Sequence, residues 1–466
     1  MKVSKIVPCS YLSLLMLVIM MLFPMASAYS SIWGSKRDLI LDKFIENNFN
    51  FTAYLIAKKM IKKGSFDESF WSIEMVRAFE SLPLSLYTPG LNSNSNNFSK
   101  LSPMMMVNAQ AMAANHQYTL AAKELAKINS DQNYYIESLY LQAMYLHMDG
   151  KYTDADRIFR LGHRESKKRD ANWLHDKNYI SIHQNKILHT YAQMLFEMKN
   201  FKAARDVMES IPKKQSIWPT TLIDLAWTEY HLKNYGRSLG LLVTYNSPFL
   251  KNYVYPEASY LKALIFYELC YVEQAEQNIE FFEKNIAALA KRLLPGLRQS
   301  LDYRKIVMDN DIRIRRKYSD LYTVLVRQNK SLKFLTYSNA IAMIKKEIGA
   351  IKNSDMSAIN KKLIVDQLLG VEMLLNKDIN NYLRGQLERF IRDTAKVEGY
   401  FVKLKLALSS KKRKEILLTA SDPDEAIISA LSAIEGRKRK AFWKFLGAFW
   451  ADELGDYNYA LTSKCK

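Results

Sequence analysis

The stretch HMDGKYTDADRIF, residues 147–159, sets a turn, an aromatic residue and a small residue at fixed intervals. Nearly the same phrase returns as EMKNFKAARDVM at 197–208 and HLKNYGRSLGLL at 231–242. In each, a small residue precedes the aromatic by nine positions and a second small residue follows it by three. Ala143, Tyr152 and Ala155 fit this rule, as do Ala192, Phe201 and Ala204, and Ala226, Tyr235 and Ser238. Ala109, Tyr118 and Ala121 fit as well, and so do Ala263, Val272 and Ala275, while Ala57, Phe66 and Ser69 make a weaker sixth case. From Ala109 to Ala263 the first small residues step by 34, 49, 34 and 37.

Two antiparallel helices that approach closely at one level need small side chains there. The turn between them needs a conformationally loose residue, which the sequence offers as Gly150, Asn200 and Asn234. The aromatic after the turn covers the hairpin end. A large residue one turn past the second small one, Phe159 or Met208, fills the layer to the next hairpin. A single hairpin of this kind buries only part of its apolar surface, so stacking is required. The class predicted is all-α.

These residues resemble the tetratricopeptide repeat, a helix-turn-helix unit of about 34 residues with two small positions and an aromatic between them. Pro212 stands where such a repeat often ends. The likeness covers roughly 100–285, with Ala in place of the usual Gly and without the usual Trp-x-x-Leu-Gly opening. It implies a superhelix of helical hairpins that serves as a binding scaffold. The 49-residue step implies about 15 extra residues, for which GHRESKKRDANWLHDK at 162–177 is the candidate.

Beyond 318 apolar residues recur at helical spacing. One run holds Leu321, Leu325, Leu332, Leu335, Ile341, Ile344, Ile348 and Ile351. After KNSDMS (352–357) a second runs from Ile359 through Leu368, Leu375, Ile379, Leu383 and Leu387 to Phe401 and Leu404. The pattern predicts a long antiparallel, coiled-coil-like helical hairpin over 318–410, with Gly370 and Gly385 as its weak points. The segments are then 1–28, a signal peptide; 29–99, N-terminal helices with one degenerate repeat, closed by the polar loop 87–103; 100–290, the array; 291–317, a connecting helical segment; 318–410, the hairpin; and 411–466, a basic helical segment and aromatic tail. The tail crowds Phe442, Trp443, Phe445, Phe449, Trp450, Tyr457 and Tyr459 together, so it is expected to dock on the chain or on a partner.

Lys2 and Lys5, the apolar run Tyr11–Phe23 and Ala26-Ser27-Ala28 read as a cleavable export signal. A run of 13 residues falls short of the roughly 20 that span a bilayer, and no later stretch does better. Cleavage would take two lysines and no acid from a net charge of +20, leaving +18. The charge is densest at 313–317, 411–414 and 437–440. Such runs are able to hold anionic polymer or lipid headgroups. Export makes nucleic acid an unexpected partner. Cys270 and Cys465 would remain, a candidate disulfide in an oxidising compartment.

Catalytic grammar is missing: there is no HExxH, phosphate loop, Gly-x-Ser-x-Gly or CxxC, and no histidine pair at i, i+4 with metal-ligand companions. No catalytic residue, metal or cofactor is assigned. By the geometry that the family resemblance implies, the positions three before, one after and four after each first small residue line the concave face. They give Tyr140, Met144 and His147; His189, Gln193 and Phe196; Ile223, Trp227 and Tyr230; Tyr260, Leu264 and Tyr267. The Lys and Asn of the repeats that clamp a peptide carboxylate are missing there. An aromatic wall suits an apolar peptide or helix. The expected function is non-catalytic protein binding in a bacterial envelope complex, in the periplasm or at the outer membrane. The tail phrase WADELGDYNYAL resembles exported repeat proteins of gliding and predatory bacteria. Two alternatives stay open: a peptidoglycan-associated enzyme or regulator, and a basic adaptor for envelope polymer or lipid.

Overall fold

The structure, a computed structural model, describes residues 41, 43–62, 72–88, 99–168, 177–250, 252–299, 301–308, 311–419, 449 and 453–465. The signal segment 1–28, Phe66, Ser69, the run 437–440 and most of the aromatic tail lie outside them. The chain is all-α. The helices that matter here are α1 (Asn50–Lys62), α2 (Ile73–Glu80), α3 (Ser102–Ala114), α4 (Tyr118–Leu125), α5 (Tyr135–Met148), α6 (Tyr152–Lys168), α7 (Lys177–Glu197) and α8 (Phe201–Glu209). They continue as α9 (Trp218–His231), α10 (Tyr235–Val243), α11 (Pro256–Glu268), α12 (Val272–Phe281), α13 (Ala288–Leu293), α14 (Tyr303–Met308), α15 (Ile312–Lys317), α16 (Ser319–Leu325), α17 (Leu332–Lys352) and α18 (Ala358–Thr419). No described helix is long and apolar enough to cross a membrane.

Five hairpins follow the repeated phrase: α3/α4, α5/α6, α7/α8, α9/α10 and α11/α12. In all five the second helix starts on the residue nine past the first small one: Tyr118, Tyr152, Phe201, Tyr235 and Val272. All ten small residues are fully buried. Phe159 and Met208 are buried as well. The small side chains let the helix backbones close on one another, and the large ones fill the space between hairpins.

The turns correct one expectation. The left-handed residue lies seven past each first small residue, at His116, Gly150, Lys199, Lys233 and Cys270, with φ between 60° and 76°. Asn200 and Asn234 are not the loose residues; each is the N-cap that follows, at φ −84° and −85°. In each turn the left-handed residue's N–H reaches the carbonyl three back, and the next N–H reaches the one five back, as from Lys233 to Tyr230 and from Asn234 to Glu229. This double bond closes the helix C-terminus and fixes the left-handed residue, whatever its side chain. A sixth such turn at Asn48 leads into α1, so α1 is the second helix of its hairpin, with Ala53 at the small position. Phe66 and Ser69, which the weaker sixth case pairs with Ala57, lie outside the described residues.

The extra residues of the 49-residue step are helical where they are described. α6 has 17 residues against 8 to 10 in α4, α8, α10 and α12, and α7 has 21 against 13 or 14 in the other first helices.

The chain forms two compact units: 1–187 with 332–379, and 188–331 with 380–466. This grouping cuts across the segments read from sequence, and helix lengths explain why. α17 has 21 residues and α18 has 62, about 32 and 93 Å at about 1.5 Å per residue. α17 covers only about a third of α18, so the expected hairpin is unequal.

In the first unit α17 runs beside the start of α18, with Lys345 paired to Glu372 at 3.4 Å. Buried Ile341, Ile344, Ile348, Leu368, Val371 and Leu375 form the seam, whereas Leu335 and Ile359 are exposed. Buried Glu347 accepts the N–H groups of Phe51 (3.1 Å) and Thr52 (3.2 Å) and the Thr52 hydroxyl (2.9 Å) at the start of α1. Buried Glu80 does the same for Ser102 N–H, Asn133 N–H and the Gln132 amide. These carboxylates satisfy donors at the starts of α1 and α3, and in the turn before α5, that burial would otherwise leave unpaired.

In the second unit the later part of α18 packs on the array. Phe401 is buried against Phe282 and Tyr260, with ring centroids 4.8 and 5.7 Å away. Lys405 pairs with Glu283, and Lys412 with Glu276. The C-terminal segment Glu453–Cys465 docks along α10 and ends in a disulfide from Cys465 to Cys270, Cα atoms 5.1 Å apart.

Candidate partner-binding face

The twelve candidate residues divide between the units. Tyr140, Met144 and His147 lie in the first. Tyr140 is buried, with the Lys186 ammonium 4.9 Å above its ring. Met144 packs on the cluster around Met106 and Tyr145. His147 lies against Tyr152, at 5.2 Å. Met144 and His147 are partly exposed.

In the second unit Phe196 and Tyr230, each four past its small residue, pack on the turn aromatic of their own hairpin. Phe196 meets Phe201 at 5.2 Å and Tyr230 meets Tyr235 at 5.6 Å. His231, one position further, links neighbouring hairpins: it stacks flat on Phe201 at 4.6 Å and touches Phe196, Trp227 and Tyr230. Trp227 meets Tyr230 edge-on at 5.7 Å and Tyr260 at 6.3 Å. Tyr260 continues the row to Tyr400 of α18, at 5.2 Å. Phe196, Trp227, Tyr230 and Tyr260 are partly exposed and His231 is exposed, so the row opens to solvent.

Polar groups line this row. Buried His189 and exposed Gln193 converge on one oxygen of Asp224, at 2.7 and 2.9 Å. His189 therefore orients Asp224 rather than lining an open groove. Glu257, open to solvent on one side, is raised above the usual carboxylate range by the protein around it and then by Asp224. The Tyr230 hydroxyl reaches Glu268 at 3.4 Å, and burial first, then Glu268, pushes it up to about 12. The rings packed around the exposed His231 lower it by partial desolvation, helped by Lys233. Tyr267 is capped by Lys411, whose ammonium sits 4.3 Å above the ring and donates to the Tyr267 carbonyl. Ile223 is core.

His231, Asp224, Glu257 and Tyr400 were missed by the sequence reading. The first two lie beside the chosen offsets; Tyr400 comes from 140 residues further on.

A separate pocket of about 560 Å³ between α12 and α18 is lined by Glu273, Glu276, Glu280, Glu283 and Lys405. Lys284 holds the exposed Glu280 below its usual range. Among the described residues no group of three or more His, Cys, Asp or Glu is placed to hold a metal. No family model, curated protein or solved structure matches the chain.

Proposed function

We propose that this chain is a non-catalytic binding scaffold of the tetratricopeptide kind, exported to a bacterial cell envelope, whose second unit takes an apolar peptide or helix from a partner protein. The observation that carries the reading is the solvent-open row Phe196, His231, Trp227, Tyr230 and Tyr260. Aromatic side chains held rigid by their neighbours are what binding hot spots are made of. Helix-in-groove recognition needs such a wall. α18 lies against Tyr260 and Tyr267, so the open part is the stretch from Phe196 to Trp227 and Tyr230. The tetratricopeptide reading draws on five hairpins in one register. The envelope reading draws on the export signal.

Of the basic runs behind the adaptor alternative, 411–414 has Lys411 and Lys412 engaged by Tyr267 and Glu276, whereas Arg313, Arg316 and Lys317 are exposed. The test is binding of the purified chain to envelope extracts at low and high salt, with Trp227→Ala and Tyr230→Ala variants. The face predicts about 30-fold weaker binding for Trp227→Ala, as for a hot spot of about 2 kcal/mol, and little change with salt. Binding that salt abolishes and the variants leave intact would overturn the reading.

A further inference from the structure

We infer that the Cys270–Cys465 disulfide is a redox latch: it holds the C-terminal strap across two neighbouring hairpins, and its reduction frees the strap and loosens the aromatic face those hairpins carry. The regulatory meaning rests on the proposed role of that face; the device itself rests on the geometry of the second unit.

The strap, Glu453–Cys465, is anchored at both ends and held between them by polar contacts, among them the Lys213–Asp456 ion pair at 2.5 Å and the Lys464 ammonium 4.5 Å above the Tyr271 ring. At its start Leu454 is buried, and Gly455, at φ +84°, stands so close to Trp218 that a Cβ would meet the ring at 2.8 Å. The Gly455 N–H donates to Thr244 Oγ1 at 3.1 Å. The strap then lies backbone-down on α10. Gly236 and Gly240, one turn apart, make the bed: a Cβ on either would collide with the Tyr459 or Tyr457 carbonyl. Tyr459 N–H donates to the Gly236 carbonyl at 3.0 Å, and Arg237 donates to the Tyr457 carbonyl at 3.3 Å.

Beyond α10 the strap crosses to the next hairpin. Tyr271 donates its hydroxyl to Thr462, and Lys464 N–H donates to the Leu269 carbonyl, both at 3.0 Å. Asp456, Asn458, Ala460, Thr462, Ser463 and Lys464 are all exposed. With so little apolar burial, the far end depends on the disulfide.

The same two hairpins carry the face. α9 bears Trp227 and Tyr230, and α11 bears Tyr260 and Tyr267. Cys270 sits three residues past Tyr267, in the left-handed turn position, and Glu268, which accepts from Tyr230, lies two residues before it. The strap and the ring row therefore read the spacing of one hairpin pair.

A dithiol reductant supplies the chemistry. Its thiolate attacks the Cys465 sulfur on the exposed strap end, and Cys270 leaves as a thiolate and takes up a proton. The second thiol of the reductant displaces Cys465 from the mixed disulfide. The chain gains two electrons and two protons as two thiols, and the dithiol ends as a disulfide.

The test uses the full chain, oxidised and after dithiothreitol, with 3-fluorotyrosine at Tyr230 read by fluorine NMR and amide exchange read over 453–465. Two variants run beside it: Cys465→Ser, which removes the latch, and Gly240→Ala, which fills the bed and leaves the cysteines. Exchange over 453–465 should accelerate about 100-fold on reduction, the lower end of what a tethered second contact contributes. The Tyr230 resonance should move in the reduced chain and in both variants, while exchange over 102–148 stays fixed as the control for folding. Unchanged protection of 453–465 after reduction would overturn the latch. So would a released strap with an unmoved Tyr230 resonance. Release with a shifted resonance upholds the latch even if Tyr230 proves to bind no partner, which would remove the scaffold reading alone.

Discussion

Glu347 offers the sharpest energetic test of the packing described. Its carboxyl is 3% exposed and accepts three donors at the start of α1. Those donors favour the ionised form, but burial outweighs them and raises the group from 4.5 to about 7. Below about pH 4.5 both the folded and unfolded chains carry the proton, and the group is neutral in the balance. Between 4.5 and 7 the unfolded chain releases it while the folded chain keeps it, so stability falls as pH rises. At about 1.4 kcal/mol per pH unit the accumulated loss is about 3 kcal/mol. Glu347→Gln keeps an acceptor for α1 and cannot ionise. Urea unfolding of both chains at pH 5, 6, 7 and 8 cancels the other titrating groups in the difference. The variant should gain on the parent steadily from pH 5 to 7 and level off by 8. A difference that stays flat, or that grows in favour of the parent, would refute the dominance of burial over the three hydrogen bonds.

Three further outcomes follow from the hairpins. Ala226→Leu places a branched side chain at a fully buried contact level and should cost about 1–3 kcal/mol, read as a lower midpoint in thermal unfolding. Lys233→Gly should stabilise the chain by about 0.5–1 kcal/mol, because φ 64° suits glycine and strains lysine; an unchanged urea midpoint would argue against the left-handed turn. Phe401→Ala should cost about 3–5 kcal/mol and release Tyr260, measurable as lost amide protection in α11 and in the later part of α18.

The hairpins were legible because their signal is local. A small residue, an aromatic nine on and a second small residue three beyond sit within one supersecondary unit, and all five instances form it. The left-handed positions were not legible, since Lys199, Lys233, His116 and Cys270 carry no turn signature; backbone hydrogen bonds impose the conformation. The seam of α17 and α18 was read only in part. Leu335 is exposed while its neighbour Phe334 is buried, and Ile359 lies outside the seam, because a long helix changes partners along its length. Of the candidate face, Phe196, Trp227, Tyr230 and Tyr260 came from the repeat register. Its completion by Tyr400 depends on a tertiary contact that no spacing encodes. His189 was placed on the right helix but serves Asp224.

The central claim, that the ring row of the second unit receives a partner segment, is tested most directly by photocrosslinking in cells from a probe at Tyr230, with the same probe at Tyr152 as control. The account predicts a discrete protein adduct at Tyr230 that Trp227→Ala abolishes and that Tyr152 does not give. Crosslinks from Tyr230 confined to the chain itself, or an adduct indifferent to Trp227→Ala, would contradict it.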